Sequence, residues 1–330
     1  MSLSPVVHRI RRAASALSAR VVLPESADPR VVEAALVLAR EGIARPVLLG
    51  EPGALRRAGV DPSSVGVIDP ATDPRAERFA AILHDLRRAK GMTAEQAREA
   101  VRAPLVFGAM LVRTGEADAC VGGSMSRTAD VLRAALHVIG LAPDVGLASS
   151  VFLMALPDGR VVTYGDCAVV PYPDAAGLAT IALSSAETHR RLTGEEPVVA
   201  MLSFSTKGSA EHEAVTKVRE ATARARTARP DLDIDGELQF DAAWVEAVGR
   251  RKAPGSTVPG RANVFVFPNL DAGNIAYKIT ERLGGAEAIG PVIQGLAKPM
   301  HDLSRGCQVD DIVTVAAIGA LQARGKGGAR

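Results

Sequence analysis

Ala117-Asp118-Ala119-Cys120-Val121-Gly122-Gly123-Ser124-Met125-Ser126-Arg127-Thr128-Ala129-Asp130-Val131-Leu132-Arg133 reads as strand, glycine turn and amphipathic helix in direct succession. Such a unit needs a crossover back to a parallel neighbour, so it argues for an α/β fold. The same alternation continues toward the N-terminus. Arg20 to Pro24 reads as a strand. Asp28-Pro29 is an N-cap followed by proline at the first helical position, opening a helix to about Glu41. Pro46 to Leu49 and Val65 to Ile68 are further strands. Helices are expected at Pro74 to Ala89, from Thr93 onward with Glu95 and Gln96 in the first turn, and at Leu105 to Arg113; the helix after the glycine turn runs from Thr128 to Ile139.

Beyond residue 145 the pattern changes. Leu147 to Leu156 and Arg160 to Tyr164 flank Pro157-Asp158-Gly159 and read as a β-hairpin, hence a second sheet. Helices are expected at Asp174 to Leu192, Glu211 to Ala228, Asp241 to Arg250, Ala272 to Leu283 and Ile312 to Ala323. Strands are expected at Val198 to Phe204, Asp235 to Phe240, Asn263 to Phe267 and Ile289 to Gly295. Arg251 to Ala262 reads as a loop and Gly325 to Arg330 as a polar, frayed tail. The expected architecture is two α/β domains with mostly parallel sheets and an active-site cleft between them. Residues 1–145 plus 299–330 form one domain and 146–298 the other.

Composition removes several function classes. Aromatic residues are 3% of 330, too few for stacking platforms on single-stranded nucleic acid, and a net charge of +2 with interspersed signs leaves no basic stripe. No nucleic-acid partner is expected. No apolar run is long enough to span a bilayer, and Arg9, Arg11 and Arg12 precede no apolar leader segment, so neither a membrane nor secretion is expected. Cys120, Cys167 and Cys307 cannot all pair, match no zinc spacing, and fit a reducing cytoplasm. Six histidines are scattered, and Glu211-His212-Glu213 is not a metalloprotease motif, so no metal site is read.

Chemistry concentrates in His301-Asp302-Leu303-Ser304-Arg305-Gly306-Cys307-Gln308-Val309-Asp310-Asp311. A guanidinium at a tight turn offers two parallel charge-assisted hydrogen bonds to a phosphate. A helix start behind it adds free N–H groups, and Asp311 can serve as a base. The plain alternative is a helix N-terminus with Asp310 and Asp311 as first-turn acids. Gly122-Gly123-Ser124 can likewise hold an anion or be a simple crossover with a solvated Arg133. Ser205-Thr206-Lys207-Gly208 is either a ligand loop or a hydroxyl-rich helix cap. Arg87, in a basic helix end, either meets a phosphate or complements the helix dipole. Cys307 is either a low-pKa nucleophile or a small buried filler. No GxGxxG, P-loop or GxSxG motif occurs.

Taken together, SFSTKGSAEHEAVTKVREAT (Ser203–Thr222), PDLDIDGELQFDAAW (Pro230–Trp244), FPNLDAGNIAYKITERLG (Phe267–Gly284), GPVIQGLAKPMHDLSRGCQVDD (Gly290–Asp311) and GDCAVVPYPDA (Gly165–Ala175) resemble the phosphate acetyl/butyryltransferase family, in particular its phosphate acetyltransferases (phosphotransacetylases). The resemblance runs from about Arg20 to Ala323. It implies two α/β domains around a cleft, a homodimer, and interconversion of acetyl-CoA and phosphate with acetyl phosphate and CoA. No cofactor is implied, since CoA is a substrate. By motif, Asp311 resembles the base for the CoA thiol, Ser304 the hydroxyl that orients thiol or intermediate, and Arg305 the clamp on phosphate and carbonyl. Arg87 and Arg133 resemble phosphate-binding arginines, and Thr128 and Lys278 further acyl-phosphate contacts. Arg127, Val170 and Ala276 depart from the family's usual residues. Propionyl or butyryl transfer, or a non-catalytic acetyl-CoA sensor, are the alternatives.

Overall fold

Strand and helix alternate along the chain because apolar β-branched runs are punctuated by caps and turns. The structure, a computed structural model, describes residues 3–324, so the tail at Gly325 to Arg330 lies outside the described residues. Eleven strands are present among them: β1 (Arg20–Leu23), β2 (Arg45–Leu49), β3 (Gly66–Ile68), β4 (Ala119–Val121), β5 (Ser149–Ala155), β6 (Val161–Gly165), β7 (Val198–Leu202), β8 (Asp233–Leu238), β9 (Val264–Val266), β10 (Glu287–Gln294) and β11 (Met300–His301). The chain divides into two compact units. One comprises residues 7–143 and the segment from 296 onward, the other residues 3–6 and 144–295.

The first unit holds a five-stranded sheet in the order β11-β4-β1-β2-β3, parallel throughout. Val21, Val22 and Leu23 are all fully buried, the continuous apolar run expected when helices cover both faces of a parallel sheet. The helix Pro29–Arg40 starts on Asp28, whose side chain accepts from the Arg30 N–H, and buries Val31, Val32, Ala34, Ala35 and Leu38. Thr93 and Gln96 form a reciprocal capping box at Ala94–Ala100. The closing helix, Val309–Arg324, begins three residues before the expected Ile312 and packs on β4 and on Pro29–Arg40. A side chain at Gly319 would put a Cβ 2.9 Å from that of Ala119, so glycine lets this helix settle on the sheet.

The second unit holds a six-stranded sheet in the order β10-β5-β6-β9-β7-β8. The expected hairpin is present, with Ala155 opposite Val161 and Val151 opposite Gly165. β10 adds antiparallel to β5, while β6, β9, β7 and β8 run parallel. Strand alternation splits the core into two layers. Val198, Ala200, Leu202, Phe265 and Phe267 join one, and Val199, Met201, Val264 and Val266 the other.

Several sequence expectations need correction. The helix expected at Asp241 to Arg250 is broken at Val245 into Phe240–Trp244 and Glu246–Lys252. A helix at Pro5–Ser15, absent from the expectation, buries Val7, Ile10 and Ala14. The helix from Thr128 is regular only to Ala134 and continues as a π-helical turn, Ala135–Ile139. Among the described residues no helix is long and apolar enough to cross a membrane.

Candidate active site

In the first unit the chain passes from β1 outward to β2 and β3, then returns to the other side of β1 for β4 and β11. The topological switch therefore lies between β1 and β4, where open α/β sheets bind ligands at the strand carboxyl ends. Three loops leave adjacent strands there: Pro24 to Asp28 after β1, Gly122 to Arg127 after β4, and Asp302 to Gln308 after β11.

The first loop supplies Glu25, which is buried. Its Oε2 accepts from the N–H groups of Gly123 (2.6 Å) and Ser124 (2.7 Å) and from the Ser124 hydroxyl (3.1 Å), and its Oε1 accepts from the Ser126 N–H (2.7 Å). By sequence, Gly122-Gly123-Ser124 can hold an external anion. The anion on this turn is the protein's own carboxylate, and these backbone donors are already used.

Asp28 and Arg30 come next. The Arg30 guanidinium donates to both carboxylate oxygens of Asp28, with Nη2 to Oδ2 at 2.7 Å. The same group reaches the carbonyls of Arg305 (3.0 Å), Cys307 (2.7 Å) and Ser124 (3.2 Å). One planar fork thus ties all three loops together. The Arg30 hydrogen bond also holds the Asp28 carboxyl below the usual carboxylate range, against the effect of its burial.

In the third loop Ser304, Arg305 and Gly306 are exposed while Leu303 and Cys307 are buried on either side. The turn closes through the Cys307 N–H to the Ser304 carbonyl (2.9 Å), and the Ser304 hydroxyl accepts from the Gly306 N–H (3.2 Å). Among the described residues the Arg305 guanidinium has no ion-pair partner. Cys307 is 4% exposed, and burial pushes its thiol up to about 11, so it fits the buried-filler reading rather than the nucleophile. The two aspartates behind the turn differ. Asp310 is bound by Arg11 at 2.9 Å. Asp311 is exposed, and its Oδ2 accepts from the Gln308 N–H at 2.8 Å, capping the helix start.

Asp302 sits beneath this turn, 2% exposed. Its Oδ2 accepts from the Thr128 hydroxyl at 2.6 Å, and its Oδ1 has no hydrogen-bond partner of good geometry among the described residues. Burial raises this carboxyl to about 6; Thr128 and the Leu303 N–H oppose the rise, and the nearby Glu25 adds to it. Gly123 makes the approach possible. Its φ is +106°, and a Cβ there would lie 2.2 Å from Asp302 Oδ1.

Arg133 and Arg127 both bind Asp130, at 2.7 and 2.9 Å. The departing Arg127 is thus turned along its own helix and is largely exposed. Arg87 ends the helix Arg75–Arg87, which packs on the π-helical turn. His137 in that turn is held below its usual pKa by burial first, then by the charges of Arg87 and Arg133. Arg87 and Arg133 therefore share one electropositive neighbourhood. A cavity of about 620 Å³ shares Glu25 and Ser126 with the loop cluster, a size suited to a small molecule.

The chain matches the model of the family described as "Phosphate acetyl/butaryl transferase" over residues 5–320. It is 51% identical to the phosphate acetyltransferase of Paracoccus denitrificans, covering 96% of this chain and 98% of that protein. It is 48% identical to that of Thermoanaerobacterium thermosaccharolyticum, over 97% and 99%. The chain belongs to the phosphate acetyl/butaryl transferase family. Among solved structures, a phosphotransacetylase from Streptococcus pyogenes superposes with a TM-score of 0.94 at 42% identity, covering 98% of this chain and 100% of that one. The EutD phosphotransacetylase from Staphylococcus aureus gives 0.89 at 42% identity, over 96% and 98%.

Of the residues assigned by motif, Ser304, Arg305, Asp311, Thr128, Arg133 and Arg87 all lie in the first unit. Lys278 lies in the second unit, exposed, with its Nζ 3.0 Å from Asn274 Oδ1. The Ser205 to Gly208 loop is also in the second unit and is consumed internally. The Ser205 hydroxyl and Gly208 N–H donate to Glu237 (3.0 and 2.8 Å), and Lys207 binds Asp235 (2.5 Å). The Val170 N–H donates to Asp166 at 2.7 Å, a backbone bond that any non-proline residue there can make. Glu25, Arg30 and Asp302 do not stand out from sequence. Arg30 follows a recognisable Asp-Pro helix start, but nothing local marks its reach to Cys307. Among the described residues no cluster of three metal-ligating side chains occurs.

Proposed function

We propose that this chain is a phosphate acetyltransferase, converting acetyl-CoA and phosphate to acetyl phosphate and CoA and the reverse, by direct thiolate attack. The observation that carries the reading is the exposed Ser304-Arg305-Gly306 turn, pinned by Arg30 at the carboxyl edge of the parallel sheet with Asp311 exposed behind it.

In the direction of acetyl-CoA formation, the CoA thiol attacks the carbonyl of acetyl phosphate. An ordinary thiol has a pKa of about 8.5, so little is thiolate near neutrality. Asp311 takes the proton as the carbon–sulfur bond forms. Asp310 is not the base, because Arg11 holds it. Negative charge grows on the carbonyl oxygen, where Arg305 stabilises it; the tetrahedral intermediate then expels phosphate, which Arg305 also binds. Ser304 orients the thiol. Arg87 and Arg133 hold substrate phosphates, and Thr128 and Lys278 contact the acyl phosphate. Phosphate is a good leaving group, so positioning the two substrates contributes much of the acceleration. No cofactor takes part beyond CoA as substrate. The enzyme works in the cytoplasm as a homodimer.

Thiol release from acetyl-CoA, followed with and without phosphate, tests the reading. Release that requires phosphate is expected; equal rates in both conditions mean a thioesterase. Repeating the assay with propionyl- and butyryl-CoA assigns the acyl preference, and binding of CoA esters without any release would identify a sensor.

A further inference from the structure

Asp302 is a buried carboxyl that the chemistry above leaves unused. It lies two residues before Ser304, 2% exposed, bonded to the Thr128 hydroxyl at 2.6 Å and with a second oxygen lacking a good partner. No Lys or Arg forms an ion pair with it among the described residues. The charge that faces it is another carboxylate, Glu25, from the loop after β1. The loop after β4 offers it only the close backbone of Gly123, and its own loop offers the Leu303 N–H. His301, its neighbour in sequence, faces the last helix at Gly319.

A hydroxyl has one proton to donate. When Asp302 is ionised, that proton is committed to Oδ2, and Thr128 can show only lone pairs to a ligand. Lone pairs repel a phosphoryl oxygen. When Asp302 carries a proton, the carboxylic acid donates to Thr128 Oγ1 and the threonine O–H is released to donate outward.

We propose that Asp302 is a positioning residue that sets the hydrogen-bond polarity of Thr128, so that the pair binds a phosphoryl group together with one proton. This rests on the reading above that Thr128 meets the acyl phosphate. The proton comes from solvent when the anion binds and returns to it when the anion leaves, and no bond to Asp302 is made or broken beyond that O–H. Burial holds this carboxyl near pH 6, where small changes in occupancy move its protonation.

The probe is inorganic sulfate, which stays a dianion across the working range, used as a competitor of acetyl phosphate from pH 6 to 8. Its inhibition constant should rise toward roughly tenfold per pH unit above the Asp302 pKa, as coupling to one proton requires. Asp302→Asn supplies a permanent N–H donor to Thr128, so its sulfate inhibition should be tight and flat with pH. Thr128→Ser should keep the wild-type slope and Thr128→Val should lose it. A flat wild-type profile overturns the proposal. So does a wild-type slope in Asp302→Asn, because the titration would then belong to another group, such as His137 beside Arg87 and Arg133. If Asp302→Asn fails to fold, sulfate binding to the wild-type protein at pH 7 can be measured calorimetrically in two buffers of different ionisation enthalpy. Uptake of a substantial fraction of a proton supports the coupling, and zero uptake overturns it. That binding measurement needs no turnover, so absence of acetyl transfer would count against the function and not against the pair.

Discussion

Arg30 Nη1 lies 2.7 Å from the carbonyl oxygen of Cys307, 277 residues away in sequence. The turn that presents Ser304 and Arg305 is therefore held from the first turn of the helix that follows β1, not by its flanking residues alone. Charge-assisted bonds of this kind contribute more than neutral ones. Because they end on backbone carbonyls, they fix the path of the turn rather than any one side chain.

Arg30→Ala should loosen that turn without disturbing the second unit. Hydrogen exchange is expected to speed up at Gly306, Cys307 and Gln308 and to stay unchanged in β7 and β8. Turnover should fall at least about tenfold, since small misplacement of catalytic groups is expensive. Arg30→Lys should rescue little, because an ammonium lacks the fork that reaches Asp28 and the loop carbonyls together. Unchanged exchange at Gly306 to Gln308 would show that the turn holds itself.

The two aspartates of the last helix should separate by role. Asp311→Asn keeps an acceptor for the Gln308 N–H but removes basicity. It should lower kcat by roughly 10²–10⁴ with a modest change in KM. Asp310→Asn should leave kcat near wild type and cost about 1 kcal/mol of stability, because Arg11 keeps the Asp310 carbonyl (2.8 Å) and Thr314 hydroxyl (2.9 Å) as partners. Steady-state kinetics with urea titration on both variants would expose a swapped assignment.

Cys307→Ala should retain turnover within about threefold, since the attacking sulfur belongs to CoA and the reaction needs no protein thiol. With its thiol raised to about 11 and 4% exposed, native Cys307 should resist iodoacetamide near neutral pH, checked by intact mass. Rapid alkylation with loss of activity would reopen a covalent route.

Local chemistry makes most of the fold legible in the sequence. Asp28-Pro29 and Thr93 with Gln96 mark helix starts by backbone geometry that needs no tertiary partner, and the hairpin around Asp158-Gly159 is equally local. β11 is not legible because two residues, Met300 and His301, carry no pattern; they are a strand only because β4 lies beside them, paired Met300 to Cys120. In the site, Ser304, Arg305 and Asp311 stand out by residue type and spacing. Glu25 and Asp302 do not, since their meaning comes from Gly123 and Thr128 across the sheet edge. Ser205 and Lys207 mislead in the opposite sense: a loop of donors looks ready for a ligand, but its acceptors, Glu237 and Asp235, are supplied by β8.

Acid stability should depend on two buried histidines. Burial lowers His301 to about 4, and burial followed by the Arg190 charge lowers His189 to about 4, from the usual 6.5. Both are neutral in the fold at pH values where the unfolded chain binds a proton. Stability is therefore lost as pH falls from about 6.5 toward 4, by roughly 3 kcal/mol for each histidine. His189→Gln and His301→Gln should each flatten that slope by about one proton in urea midpoints measured against pH. Slopes unchanged in both variants would place the acid sensitivity elsewhere.

Asp302 should act in the opposite sense over almost the same range. Its folded pKa, about 6, lies above the usual 3.8, so folding favours the protonated form. The associated stability is complete below pH 3.8 and is lost as pH rises through 6. At about pH 8 the ionised, buried carboxyl then costs about 3 kcal/mol relative to an ordinary aspartate. Asp302→Asn removes the charge but keeps the shape, so it should be about 2–3 kcal/mol more stable than wild type at about pH 8, with the gain vanishing below about pH 4. Thr128→Val deletes a hydrogen bond that favours the ionised form and should push the carboxyl higher still. An aspartate that costs stability where asparagine would not needs a functional reason. A variant that is more stable yet less able to couple phosphate to a proton would supply that reason through Thr128. Urea unfolding of wild type and Asp302→Asn at about pH 4, 6 and 8 decides it. A difference that does not grow with pH would mean that Asp302 is not held above the usual carboxylate range.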